Sequence, residues 1–173
     1  MAALRLYTTA AYSMINDPLR GRGPYAGKPH PLPVTTALIT DAIKRLRAVA
    51  ASRDDGQRPG DFWRGMRNVE LTDGFLEAGG TELAPMSTSA DVRVALNYSS
   101  QADKRLIFKI ASTNFLDRGA DLRYLSAFPA ESEFLYPPLT FLQPTGRHQA
   151  LTLTDGDDSV EYTVIECVPY YAS

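Results

Sequence analysis

Several things are scarce in this chain of 173 residues, and each scarcity excludes something. A single cysteine cannot form an internal disulfide, and two histidines beside it do not make a Cys/His zinc cage. Long apolar runs are missing too. The longest weakly polar stretch, residues 34–51, is interrupted by Asp41, Lys44, Arg45 and Arg47, so no segment reads as membrane-spanning. The N-terminus lacks a signal peptide's apolar run, because Arg5, Asn16, Asp17 and Arg20 break it early. Neither sign of charge dominates. Eighteen basic against twenty acidic residues give a net charge of -2, which argues against a cationic nucleic-acid coat. What the chain does have is ordinary globular composition, 44% hydrophobic and 22% charged, at the length of one domain. Its core must hold it together unaided, and at this length it can.

The pattern is helical first and extended later. Tyr12, Ile15 and Leu19 follow Thr8 and Thr9 at helical spacing, which predicts a short helix capped by threonine and shortened by Pro18. Residues 21–33 hold four prolines and three glycines and read as an irregular loop. A clear helix follows, with Leu38, Ala42 and Leu46 in one row and Ile39, Ile43 and Ala50 beside it. Thr35 or Thr36 is its expected cap, and Lys44, Arg45 and Arg47 sit where the C-terminal dipole favours cations. Residues 52–60 form a polar connection. Beyond it, strands are expected from Asp61, over residues 81–89, 105–111 and 133–136, and in a hairpin of 149–154 with 159–167 turning at Asp155 to Asp158. A helix over 91–98 fits between strands. This order predicts an α+β domain with a mostly antiparallel sheet.

Three short motifs lie at the ends of these strands: Phe62-Trp63-Arg64-Gly65, Ser87-Thr88-Ser89, and Glu131-Ser132-Glu133. Each is commonplace alone. An Arg-Gly pair recurs widely, serines before a helix are usually N-caps, and a Glu-x-Glu is most often two solvated carboxylates. In this order and spacing they resemble the mono-ADP-ribosyltransferase family, in its Arg-Ser-Glu branch of cholera-like, binary-toxin and arginine-specific enzymes. The resemblance extends to residues 7–20 (YTTAAYSMINDPLR), to the Leu-x-x-Ala-Ile helix of residues 38–46, and to residues 87–99 (STSADVRVALNYS). It implies one catalytic domain over 1–173, with N-terminal helices (about 1–60) packed on a mostly antiparallel split β-sandwich (about 61–173). It also implies transfer of ADP-ribose from NAD, a consumed cosubstrate, to a protein side chain, with arginine first among acceptors and no metal.

The chemistry of the residues agrees. Cleaving the nicotinamide glycosidic bond builds positive charge on the ribose, and a nearby carboxylate stabilises it. The resemblance gives that role to Glu133. Arg64 offers a planar charged fork to the diphosphate. Ser87 can hydrogen-bond both ligand and Glu133, and Gly65 lets the backbone approach the nicotinamide closely. Thr88 and Ser89 belong to the same implied NAD-binding set, and Tyr98 is a candidate to stack on the nicotinamide ring. On an extended chain Glu131 and Glu133 face the same way, so one can serve the ribose while the other orients and deprotonates the acceptor. Phe128, three residues before Glu131, sits where the family's acceptor loop often carries an aromatic.

The same site suits NAD hydrolysis or transfer to a serine or threonine hydroxyl, and an inactive NAD- or protein-binding module is the alternative from another class. The single cysteine separates the chain from the family's disulfide-bonded surface enzymes. A cytoplasmic protein or a delivered effector, a monomer with a protein acceptor of unknown identity and no membrane or nucleic-acid partner, is expected. Elsewhere, His30 and His148 read as surface residues, Cys167 as a small buried hydrophobe, residues 20–23 as a solvated loop, and Trp63 as core packing. Asp155 to Glu166 lacks the glycine of a calcium loop.

Overall fold

Apolar spacing makes the N-terminal third helical, although the threonines do not cap it as predicted. The fold is taken from a computed structural model that describes residues 1–52, 60–67, 69, 71–99, 105–155 and 158–171. Helix α1 (Ala2–Tyr7) and α2 (Tyr12–Leu19) precede a 3₁₀ turn (Gly23–Tyr25) and α3 (Pro33–Ala51). Thr8 and Thr9 donate to the carbonyls of Arg5 and Leu6 and so finish α1, while the N-cap of α2 is Ala11, which offers no side-chain hydrogen bond. Pro18 lies in the last turn of α2, which ends one residue later. Likewise α3 begins at Pro33, whose missing N–H and fixed φ suit a first helical position. Thr36 donates back to the Leu32 carbonyl instead of capping.

The buried row of α3 is Ile39, Ile43 and Arg47, whereas Leu38 faces out. Arg47 is therefore not a dipole-complementing surface cation. Its guanidinium lies 4.5 Å from the Tyr171 ring centroid, and its Nε donates to the Arg118 carbonyl at 2.9 Å.

Eight strands follow: β1 (Gly60–Arg67), β2 (Gly80–Glu82), β3 (Met86–Ser89), β4 (Arg105–Ser112), β5 (Ala120–Asp121), β6 (Glu133–Tyr136), β7 (Thr140–Asp155) and β8 (Asp158–Tyr170). Their order is β2-β7-β8-β4-β1-β3-β6-β5, and β4 with β8 is the parallel pair. Between β1 and β3 the register has one pair, Trp63 with Ser89, so the sheet splits there. The two parts then pack face to face. Phe62, Phe108, Ile110, Leu142, Ile165 and Cys167 of the larger part meet Met86, Phe134 and Tyr136 of the smaller, with the Phe62 and Phe134 centroids 4.5 Å apart. On the other face of the smaller part, Leu4, Tyr7, Ile15, Ile39 and Ile43 of α1–α3 cover Ala120, Leu122 and Leu135. Each such fully buried Leu, Ile or Phe stabilises the fold by about 2 kcal/mol. The architecture is the α+β split sandwich that the sequence suggested.

Four features differ from expectation. A short helix, α4 (Asp73–Ala78), is capped by Thr72 and ends at Gly79 in the left-handed region (φ 76°). The extended run over 81–89 is two strands, each pairing with a different partner. Helix α5 (Val92–Ser99) starts one residue late, because Asp91 accepts the Arg93 N–H and takes the capping place. The terminal hairpin is longer than predicted and kinks at a register shift between Pro144 and His148, with Gly146 at φ 80°. Asp155 pairs with Asp158, while the tip at 156–157 and most of the 52–60 connection lie outside the described residues.

Candidate active site

The split between β1 and β3 opens a cavity of about 650 Å³, within the range of small-molecule sites. Arg64, Gly65, Ser87, Thr88, Ser89, Tyr98, Phe128, Glu131 and Glu133 all line it. Residues from three separate motifs thus meet because β3 pairs antiparallel with β6 and lies beside β1.

Glu133 is 7% exposed. Ser89 is its register partner, and Ser87, diagonal to it, donates its hydroxyl to Oε1 at 2.7 Å. Ser126 donates to Oε2 at 3.2 Å. Burial pushes the Glu133 carboxyl above the usual range, the negative charge of Glu131 adds to the rise, and the two hydroxyls offset part of it.

Arg64 is anchored by Nη1, which donates to the Ser87 carbonyl at 2.8 Å. Its Nη2 lies 3.7 Å from Glu82 Oε2. The same Glu82 accepts two hydrogen bonds from Arg20, each 2.9 Å, in a bidentate fork. Burial alone would raise the Glu82 carboxyl, but the Arg20 hydrogen bonds and the Arg64 charge hold it below its ordinary value. One carboxylate therefore sets the positions of two guanidinium groups on the cavity wall. Arg20 is not part of a solvated loop.

Beside them, the buried Tyr7 hydroxyl donates to the Pro85 carbonyl at 2.9 Å and accepts from Asn16 Nδ2 at 3.1 Å. Burial pushes the phenol up to about 12. Asn16 is 3% exposed, and its Oδ1 has no hydrogen-bond partner among the described residues.

Glu131 reaches the cavity by a different route from the one predicted. It ends a 3₁₀ turn (Pro129–Glu131), and Ser132 sits at φ 47°, so the chain between the two glutamates is not extended. What holds Glu131 in place is its backbone, whose carbonyl accepts the Ser89 hydroxyl at 2.6 Å. Phe128 and Tyr98 are 55% and 45% exposed at the rim. Trp63 packs against the cluster of Ala95, Ile107 and Val164 and also lines the cavity, so core packing is only part of its place.

Gly65 has a structural reason to be glycine that the sequence reading missed. A β-carbon there would overlap the Ala95 carbonyl oxygen and sit 3.3 Å from the Ser99 nitrogen of α5. The missing side chain makes room for a helix backbone.

Glu82 and Ser126 were not singled out from sequence, and Tyr7, Asn16 and Arg20 were given no role in the site. The last three are the Tyr, Ile-Asn and Leu-Arg positions of the 7–20 segment, whose likeness to the family implied a helix and no side-chain role. Glu82 and Ser126 carry no local signal. His30 is also not a surface residue: it is half-buried, Nε2 lies 2.9 Å from the Ile15 carbonyl and Nδ1 accepts the Leu32 N–H at 3.0 Å. Cys167 is fully buried, which pushes its thiol up to about 12. Among the described residues no three His, Cys, Asp or Glu side chains converge as a metal site, and no helix is long and apolar enough to cross a membrane.

These features define the ADP-ribosyltransferase fold. HopU1, an ADP-ribosyltransferase of Pseudomonas syringae pv. tomato, is 23% identical over 92% of this chain, with a TM-score of 0.64. C2-I, the enzymatic component of the Clostridium botulinum C2 toxin, is 20% identical over 96% of it, with a TM-score of 0.66. Exoenzyme S of Pseudomonas aeruginosa, solved with human 14-3-3 protein beta and carba-NAD, is 21% identical over 95% of it, with a TM-score of 0.57. The chain spans 66% of HopU1, 42% of C2-I and 70% of exoenzyme S. At these identities the likeness is one of fold. No protein-family model and no curated protein sequence matches the chain.

Proposed function

We propose that this chain is a mono-ADP-ribosyltransferase that cleaves the nicotinamide–ribose bond of NAD and transfers ADP-ribose to a protein arginine. The observation that carries the reading is Glu133, a buried carboxylate fixed by hydroxyls on both oxygens, in a cavity whose wall holds Arg64 and Arg20. Bond cleavage leaves an oxocarbenium-like ribose, and a preoriented carboxylate in a water-poor site stabilises it far more than bulk solvent does. The two guanidinium groups match a diphosphate. The exoenzyme S structure with carba-NAD supports this choice of ligand.

Glu131 supports arginine as the acceptor. Its carboxylate is exposed at the mouth of the same cavity as Glu133, where it accepts the proton that a guanidinium must lose on bonding to the ribose carbon. Agmatine, a small guanidine, has been solved in complex with the neighbour Vis of Vibrio splendidus. Incubated with labelled NAD and agmatine, the chain is expected to release nicotinamide and form ADP-ribosyl-agmatine. Glu131→Ala should cut transfer by about 100-fold, as loss of a general base does, while NAD hydrolysis persists. Equal loss of both activities would remove Glu131 from the acceptor role. Nicotinamide release with no label on agmatine or on lysate proteins would make the enzyme an NAD glycohydrolase.

A further inference from the structure

We propose that Ser126 is a positioning residue that ties the orientation of Glu133 to the seating of the acceptor loop. The inference rests on the ADP-ribosyltransferase reading above. Ser126 is 4% exposed and lies upstream of the loop that carries Phe128 and Glu131. Its hydroxyl has one proton and two lone pairs. The proton goes to Glu133 Oε2 at 3.2 Å, and a lone pair accepts the Phe128 N–H at 3.0 Å. One oxygen atom thus touches both the carboxylate and the backbone of the exposed aromatic.

The loop is pinned around this atom. Ala127 donates its N–H to Thr8 Oγ1 at 2.9 Å, Ser89 holds the Glu131 carbonyl, and Leu122 N–H reaches the Glu133 carbonyl at 2.9 Å. With Phe128 N–H in place, the Ser126 hydroxyl is oriented so that its proton faces Glu133. If the loop lifts, that restraint goes, and Oε2 loses a fixed donor while Ser87 still holds Oε1. An acceptor that presses Phe128 onto the loop therefore acts on Glu133 through Ser126.

Glu133 also feels Glu131 on the same loop, and Arg64 on β1, Arg20 at the C-terminal cap of α2, Tyr7 on α1 and Tyr98 on α5 line the same cavity. Removing the Ser126 hydroxyl subtracts a donor that favours the ionised carboxylate. Its proton affinity then rises further, and the acidic limb of the activity profile moves to higher pH.

The test compares wild type, Ser126→Ala and Ser126→Thr in nicotinamide release from NAD, alongside a ¹³C NMR titration of the Glu133 carboxyl. Ser126→Ala is expected to lower kcat by about tenfold or more, the worth of a hydrogen bond to a charged group. KM for NAD should stay within about twofold, since the binding groups are untouched, and both the acidic limb and the Glu133 titration should move up. Ser126→Thr, which keeps the hydroxyl, should restore most of kcat. An alanine variant with wild-type kcat and an unmoved titration overturns the proposal, as does a threonine variant that folds yet matches alanine. If wild type releases no nicotinamide, the proposed function fails by itself. The carboxyl titration then still decides whether Ser126 holds Glu133.

Discussion

Glu133→Gln will abolish most nicotinamide release, by about 100- to 1,000-fold, with little change in NAD affinity. The amide keeps the size of the carboxylate, its oxygen still accepts the Ser87 hydroxyl, and its NH2 can face the Ser126 oxygen as a donor, so the cavity keeps its shape. What disappears is the negative charge, which the proposed oxocarbenium-like transition state needs and the ground state does not. The stability of the variant separates this account from simple damage. Burial raises the Glu133 pKa in the fold above its unfolded value, so its ionisation opposes folding. That penalty is fully present above the folded pKa and is relieved as pH falls through it. A neutral glutamine removes the penalty, so melting at neutral pH should be unchanged or higher while activity is lost. A variant that is both inactive and markedly less stable would point to Glu133 as a structural acid. In wild type, kcat should fall on acidification with an apparent pKa above the ordinary carboxylate range, because the working form is ionised. A pH profile flat down to the usual glutamate range would contradict the burial argument.

Gly65→Ala is expected to destabilise the protein by about 3 kcal/mol and to lower activity with it. Overpacking costs about 1 to 3 kcal/mol when side chains yield, and here the obstacle is backbone. The added methyl would overlap the Ala95 carbonyl, and α5 must move away from β1 to admit it. That movement shifts Tyr98, on α5, and strains β1 where it carries Arg64. Thermal unfolding with a parallel NAD-cleavage assay tests this. An alanine variant as stable as wild type would mean that α5 is not pressed against Gly65. A variant that keeps its melting temperature but loses NAD affinity would restore the ligand-approach role that the sequence suggested.

Much of the fold was legible because it rests on local regularities. A short apolar run bounded by polar residues over 105–111 marked β4, and the apolar row of 38–46 marked α3. Caps were less legible, because several residues compete for each. Thr8, Thr9 and Thr36 all had the right chemistry to start helices, yet each hydroxyl bonded to a carbonyl behind it. Arg47 reads as a solvated cation in any local window. Only the arrival of Tyr171 and Arg118 from distant parts of the chain makes it a buried one.

The candidate site divides the same way. Arg64, Ser87 and Glu133 stand out because their neighbours form motifs, and the cavity gathers all three. Glu82 is an unremarkable carboxylate in a three-residue strand, and only the pairing of β2 with β7 brings it to Arg20 and Arg64. Glu131 and Glu133 line one cavity, but not through the extended chain that the sequence suggested, since a 3₁₀ turn and a left-handed serine separate them. The single cysteine, two histidines and balanced charge determined by themselves that no disulfide staples this chain and that no cationic coat dominates it. Apolar periodicity determined the helices and most strands. Which polar side chains meet was decided by tertiary structure alone, because Ser126, Glu82 and Asn16 matter through partners that a twisted, split sheet delivers from elsewhere in the chain.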